Sequence, residues 1–208
     1  MSPGSPESAR PEKKTLTDLL RSHTLFIIDP IVTRLARYRL SPNLLTVAGM
    51  VAHFLLAWLI TQGQMQLAGL AIFFIAPLDA LDGALARKLG RQAGGFGAFL
   101  DSTLDRLAEI VLFGGFLFYY GRLDNSLMVA TTYLAITGSL MVSYARARAE
   151  ALGLSCKVGL LSRVERYAVL TLALLLDRPA AGLAVVAVFA YITLAQRIFH
   201  VWQQTLPE

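Results

Sequence analysis

The chain is expected to be an all-α integral membrane protein, a six-helix bundle with an N-terminal amphipathic helix on the membrane surface. Three observations predict this. Of its 208 residues, 55% are hydrophobic, and the mean hydropathy is +0.56, too apolar for a soluble domain of this size. The apolar stretches run to about 20 residues, the length that crosses a bilayer as a helix. Lys and Arg also cluster in alternate connections, as the positive-inside rule requires.

Residues 1–14 are rich in Ser, Pro, Glu and Lys and carry no apolar core. They read as a disordered tail rather than a signal peptide. Residues 15–208 read as one membrane domain. Over 15–39, Leu16, Leu19, Leu20, Ile27, Ile31 and Leu35 recur at helical spacing between Arg21, Arg34, Arg37 and Arg39. That pattern predicts the surface helix, kinked at Pro30. The predicted spans are 44–61, 66–88, 97–120, 126–149, 163–177 and 180–202. Their short connections predict antiparallel neighbours.

Fifteen of the 19 Lys and Arg fall in the N-terminal segment, the connection between spans two and three, and the region between spans four and five. Both termini are therefore expected in the cytoplasm, at the cytoplasmic membrane. The net charge of +5 fits this topology and attraction to anionic head groups, not nucleic acid. Cys156 stands alone, so no internal disulfide is possible. It reads as a small buried thiol.

Four aspartates, Asp79, Asp82, Asp101 and Asp105, lie in the second and third spans. Carboxylates in a membrane are costly and mark function. Asp79 and Asp82 are three apart and share a helix face, as do Asp101 and Asp105, four apart. The pairs flank a polar turn around Gln92, so a hairpin there brings all four to one depth. Two divalent ions clamped by carboxylates can serve a phosphoryl displacement. Oxygen-only ligation favours Mg²⁺ or Mn²⁺. Gly83, Ala86 and Gly97 offer little bulk, so a nucleotide can approach the backbone. Arg87, at the cytoplasmic end, can grip phosphate. The same small residues also suit plain helix packing.

Residues 79–105 read DALDGALARKLGRQAGGFGAFLDSTLD and fit D-x(2)-D-G-x(2)-A-R-x(9)-G-x(3)-D-x(3)-D. This resembles the signature of the CDP-alcohol phosphotransferase (CDP-alcohol phosphatidyltransferase) family. The resemblance implies that Asp79, Asp82 and Asp101 are the main metal ligands, with two ions per site. It implies that Asp105 is the general base, touching metal as well. Asn43 and Thr46, in the stretch opening the first span, match a family segment beside the cytidine site. Ser41 and Pro42 there also read as a plain helix start. Glu109, one turn beyond Asp105, reads either as part of the acceptor pocket or as the packing partner of an arginine.

Arg146, Arg148, Lys157, Arg163 and Arg166 crowd the region between spans four and five. Arginines at two helix ends make a phosphate clamp, although the positive-inside rule explains most of the count. SYARARAE followed by SRVER resembles the inositol-phosphate-using branch of the family. The expected reaction is metal-dependent transfer of a phosphatidyl group from CDP-diacylglycerol to inositol 1-phosphate, releasing CMP. Glycerol 3-phosphate is the alternative acceptor, and an ether lipid the alternative donor. None of His23, His53 and His200 is placed for a covalent intermediate. The family resemblance implies a homodimer, but the sequence offers no clean interface; Gly114, Gly115 and Gly138 mark only places where helices can approach closely. A cation transporter is the rival from another class. It leaves Gly83, Arg87 and the basic region unexplained.

Overall fold

The computed structural model describes residues 30–38, 40–90 and 95–206, without the side chains of 77–80. The tail 1–14, most of the expected surface helix, the turn at Gln92 and the Asp79 side chain lie outside the described residues. Among the described residues the fold is all-helical: α1 (30–37), α2 (Pro42–Thr61), α3 (Met65–Lys88), α4 (Gly95–Arg122), α5 (Ser126–Ala151), α6 (Arg163–Leu175) and α7 (Pro179–Gln204).

Local chemistry sets the ends. Pro42 and Pro179 open α2 and α7 at a position where a missing N–H costs nothing. The Asn125 side chain accepts from the Met128 amide and caps α5. Asp124 and Asp177 take positive φ at the turns before α5 and α7, a conformation that short polar residues tolerate.

Four helices, α2, α3, α5 and α7, are long and apolar enough to cross a membrane. α6 has only 13 residues. α4 has 28, but its first 15 carry Asp101, Asp105, Arg106 and Glu109. Phe73, Phe74, Trp58, Phe118 and Val188 point outward, fully half exposed, as lipid-facing side chains do. The chain is a multi-pass membrane protein.

α2 packs against both α3 and α4, and α5 packs against α4 and α7. α6 closes the arrangement between α3 and α7. The core of Leu56, Ile60, Leu112, Phe113, Phe116, Leu170, Leu174 and Leu183 draws on α2, α4, α6 and α7. Two of the three glycines singled out in the sequence make close crossings within the chain. A Cβ on Gly115 would stand 2.8 Å from the Ala57 backbone, and one on Gly138 would stand 2.9 Å from Ala190. Gly114 faces open space.

α1 docks on α3. Val32 is buried with Leu81 and Leu85, and Leu35 packs beside them. Lys88 Nζ donates to Thr33 Oγ1 at 2.5 Å. Ile31, expected on the apolar face, is instead exposed. The inward face runs through Val32, Leu35 and Ala36, because α1 meets a protein helix at its side.

Candidate active site

α2 sets the first wall of the site. Thr46, in its opening turns, donates to Asp82 Oδ2 of α3 at 2.7 Å. Both residues are buried. A buried carboxylate needs such a donor, since its lone pairs are otherwise stripped of water. Thr46 therefore orients an expected metal ligand. Asn43, one turn earlier, has its Oδ1 3.4 Å from where a Cβ on Gly97 would stand. The structure thus brings Asn43, Thr46, Asp82 and Gly97 together from three helices. The Arg87 guanidinium folds back along its helix, with Nη1 3.5 Å from the Cβ position of Gly83. Ala86 is half-buried and Arg87 exposed.

α4 supplies the second wall. Asp101 and Asp105 are both half-buried. Arg163 Nη1, at the first residue of α6, reaches Asp105 Oδ2 at 2.6 Å. Arg106 Nη1 lies 4.0 Å from the same oxygen and donates to the Ser102 carbonyl. One turn deeper, Glu109 Oε1 accepts from Arg166 Nη2 at 2.7 Å and Nε at 3.0 Å. Arg166 Nη1 donates to the Leu161 carbonyl at 3.2 Å. Of the two sequence readings of Glu109, its geometry matches the packing partner of an arginine. Arg166 is 1% exposed; it joins α6 to α4 from within. Arg163 stands nearer the surface, beside Asp105.

The remaining expected basic residues lie outward. Arg146, Arg148 and Lys157 are exposed, and Arg146 pairs with Glu150 at 2.8 Å within α5. Cys156 is buried and free.

The connection from α5 to α6 is held by α7, which sequence reasoning missed. Gln204 accepts from the Ser155 amide at 3.2 Å and donates to its carbonyl at 2.8 Å. Gln196 accepts from the Leu160 amide and Thr193 from the Leu161 amide. Arg197 donates to the carbonyls of Val158 and Val142. A Cβ on Gly159, at φ +131°, would stand 2.4 Å from Thr193 Cγ2. The signal was present: polar residues at 193, 196, 197 and 204 form one stripe on an otherwise apolar helix.

The donor set suits a hard divalent ion, being carboxylate oxygen throughout with one carboxylate oriented by a hydroxyl. Among the described residues no three His, Cys, Asp or Glu side chains stand close enough to share one ion. Asp79, whose side chain lies outside that description, belongs to the expected set.

The arrangement as a whole has known counterparts. The model of the family described as CDP-alcohol phosphatidyltransferase matches residues 39–205. The archaetidylinositol phosphate synthase of Pyrococcus horikoshii is 38% identical over 175 residues, covering 83% of this chain and 89% of that protein. The crystal structure of Mycobacterium tuberculosis phosphatidylinositol phosphate synthase with CDP-DAG bound aligns with a TM-score of 0.78 and 31% identity, over 85% of this chain and 94% of that one. The same enzyme in complex with manganese and citrate aligns at 0.77 and 32%, over 84% and 88%.

Proposed function

This chain belongs to the CDP-alcohol phosphatidyltransferase family, and we propose that it transfers a phosphatidyl group from CDP-diacylglycerol to inositol 1-phosphate. The observation that carries this reading is the Asp105–Arg163 contact. It sets a candidate base beside a guanidinium suited to the phosphate of an acceptor. The proton of the acceptor hydroxyl passes to Asp105. The freed oxygen forms a bond to the lipid-side phosphorus, and the bond from that phosphorus to the CMP oxygen breaks. CMP leaves with the electron pair.

Asp79, Asp82, Asp101 and Asp105 would hold two Mg²⁺ or Mn²⁺ ions. When bound, such ions supply positive charge to the phosphate oxygens. Crystallisation of a structural neighbour with manganese supports a metal site. Thr46 fixes the Asp82 carboxylate. Asn43, Gly83, Ala86, Arg87 and Gly97 leave room for, and grip, the cytidine diphosphate. Arg146, Arg148, Lys157 and Arg163 draw in the acceptor phosphate, with Arg166 acting from beneath through its tie to Glu109. The names of the Pyrococcus and Mycobacterium relatives support an inositol phosphate acceptor.

In this reading α4 and α6 complete six spans, the segment before Pro42 lies on the membrane surface, and both termini and the site face the cytoplasm. Two copies associate as a homodimer.

The test is CMP release by the purified protein with CDP-diacylglycerol and Mg²⁺. Inositol 1-phosphate, glycerol 3-phosphate, free inositol and serine are offered separately. Release with inositol 1-phosphate, lost in Asp105→Asn, is the expected result. Release with glycerol 3-phosphate alone changes the acceptor. Release only with an unphosphorylated alcohol overturns the phosphate-binding role of the arginines.

A further inference from the structure

His53 is buried in α2 and takes no part in the chemistry set out above. Its Nδ1 lies 2.8 Å from the Gly49 carbonyl oxygen, one turn back. A carbonyl only accepts, so Nδ1 carries the proton and the neutral ring keeps Nε2 as an acceptor. The Tyr167 hydroxyl of α6 donates to Nε2 at 2.9 Å. The two rings meet edge to face, with centroids 5.9 Å apart and planes at 78°. The tyrosine ring is thereby fixed at its far end.

One turn earlier on α6, the Arg163 guanidinium carbon lies 5.2 Å from the centre of that ring. This is within the range of a cation–π contact. The same guanidinium reaches Asp105. A continuous chain of contacts thus runs from the Gly49 carbonyl through His53, Tyr167 and Arg163 to Asp105, crossing from α2 through α6 to α4. Arg163 opens its helix, so no preceding turn of α6 supports its long side chain. A free arginine side chain samples many rotamers. An aromatic face anchored at its hydroxyl removes that freedom on one side.

We propose that Tyr167 is a positioning residue for the acceptor: anchored on His53, its ring holds the Arg163 guanidinium where it meets the phosphate of the incoming alcohol. This rests on the reading that the acceptor carries phosphate. A pair that merely joins α2 to α6 would instead weaken folding without distinguishing the two substrates.

The experiment uses the full chain in lipid nanodiscs, with CMP release measured against inositol 1-phosphate and CDP-diacylglycerol in turn. Tyr167→Leu and Tyr167→Phe are each made alone and with Arg163→Ala. Tyr167→Leu is expected to raise the KM for inositol 1-phosphate roughly tenfold, the scale of a lost, partly desolvated cation–π contact. The KM for CDP-diacylglycerol changes less than about twofold, and with Arg163→Ala present the leucine adds nothing further. Tyr167→Phe keeps the ring and loses the anchor, so its rise is smaller. It also serves as the test, by the same substrate comparison, should the leucine variant fail to fold.

Equal weakening of both substrates, an unchanged acceptor KM, or the same rise with and without Arg163 overturns the inference. If the wild type turns over inositol 1-phosphate and the variants match it, only the inference falls. If the wild type uses no phosphorylated alcohol, the functional reading falls and takes the inference with it.

Discussion

Arg166 and Glu109 form a two-pronged ion pair on facing helices, with two guanidinium nitrogens on one carboxylate oxygen and both side chains buried. Buried ions lose their water, and only mutual pairing and added hydrogen bonds offset that loss. The Leu161 carbonyl satisfies part of the remaining guanidinium. Removing one partner alone leaves an uncompensated charge. We expect Glu109→Ala to destabilise the protein by about 3–5 kcal/mol, read as a lower Tm in detergent. The double change Glu109→Leu with Arg166→Met should recover much of that loss. If the double variant is no more stable than the single one, the pair has another role.

Thr46 presents its hydroxyl to Asp82. Thr46→Val keeps the shape and removes the donor. A support of this kind to a metal ligand is worth about 10–100-fold in metal affinity. Mn²⁺ titration of the purified protein should show that loss, and Thr46→Ser should restore most of it. Equal affinity in all three proteins would place Asp82 outside the metal set.

Asp105→Asn keeps size and loses basicity. If Asp105 takes the acceptor proton, CMP release should fall at least ~10²–10⁴-fold, the usual worth of a general base. CDP-diacylglycerol should still bind. Chelation with EDTA should stop release by the wild type, and added Mg²⁺ or Mn²⁺ should restore it. Residual activity of the variant near the wild-type level would assign the base elsewhere.

Gly115 and Gly114 are neighbours with opposite surroundings. A side chain at 115 meets the Ala57 backbone, whereas one at 114 meets nothing within 4 Å. Gly115→Val should therefore cost about 1–3 kcal/mol as overpacking and loosen α2 from α4. Gly114→Val should be close to neutral in thermal unfolding. Similar losses at both positions would mean that the α2–α4 crossing is not where Gly115 matters.

Much of this was legible in the sequence because a bilayer limits the choices. The apolar stretches place α2 to α7 within a few residues, since a span must satisfy its own backbone. The aspartates stand out by cost alone. Contacts between distant segments were not legible. Nothing near Thr46 announces Asp82, 36 residues away. His53 and Tyr167 are 114 residues apart, and each reads alone as an ordinary core residue. Arg163 and Arg166 look alike in SRVER, yet a turn of helix sends one beside Asp105 and the other onto Glu109. Periodicity tells which residues share a face, but not which helix that face meets. The inward face of α1 shows the same limit at Ile31.

The grip of α7 on residues 155–161 has a consequence for the order of assembly. Ribosomes deliver the chain from its N-terminus, so α7 reaches the bilayer after α2 to α6. Until Thr193 and Gln204 arrive, the amides of Ser155 and Leu161 lack the partners they have in the finished protein. The carboxylate wall on α3 and α4 is synthesised well before that. A nascent chain therefore completes the helices that carry Asp82, Asp101 and Asp105 first, and residues 155–161 are fastened only after α7 has been made.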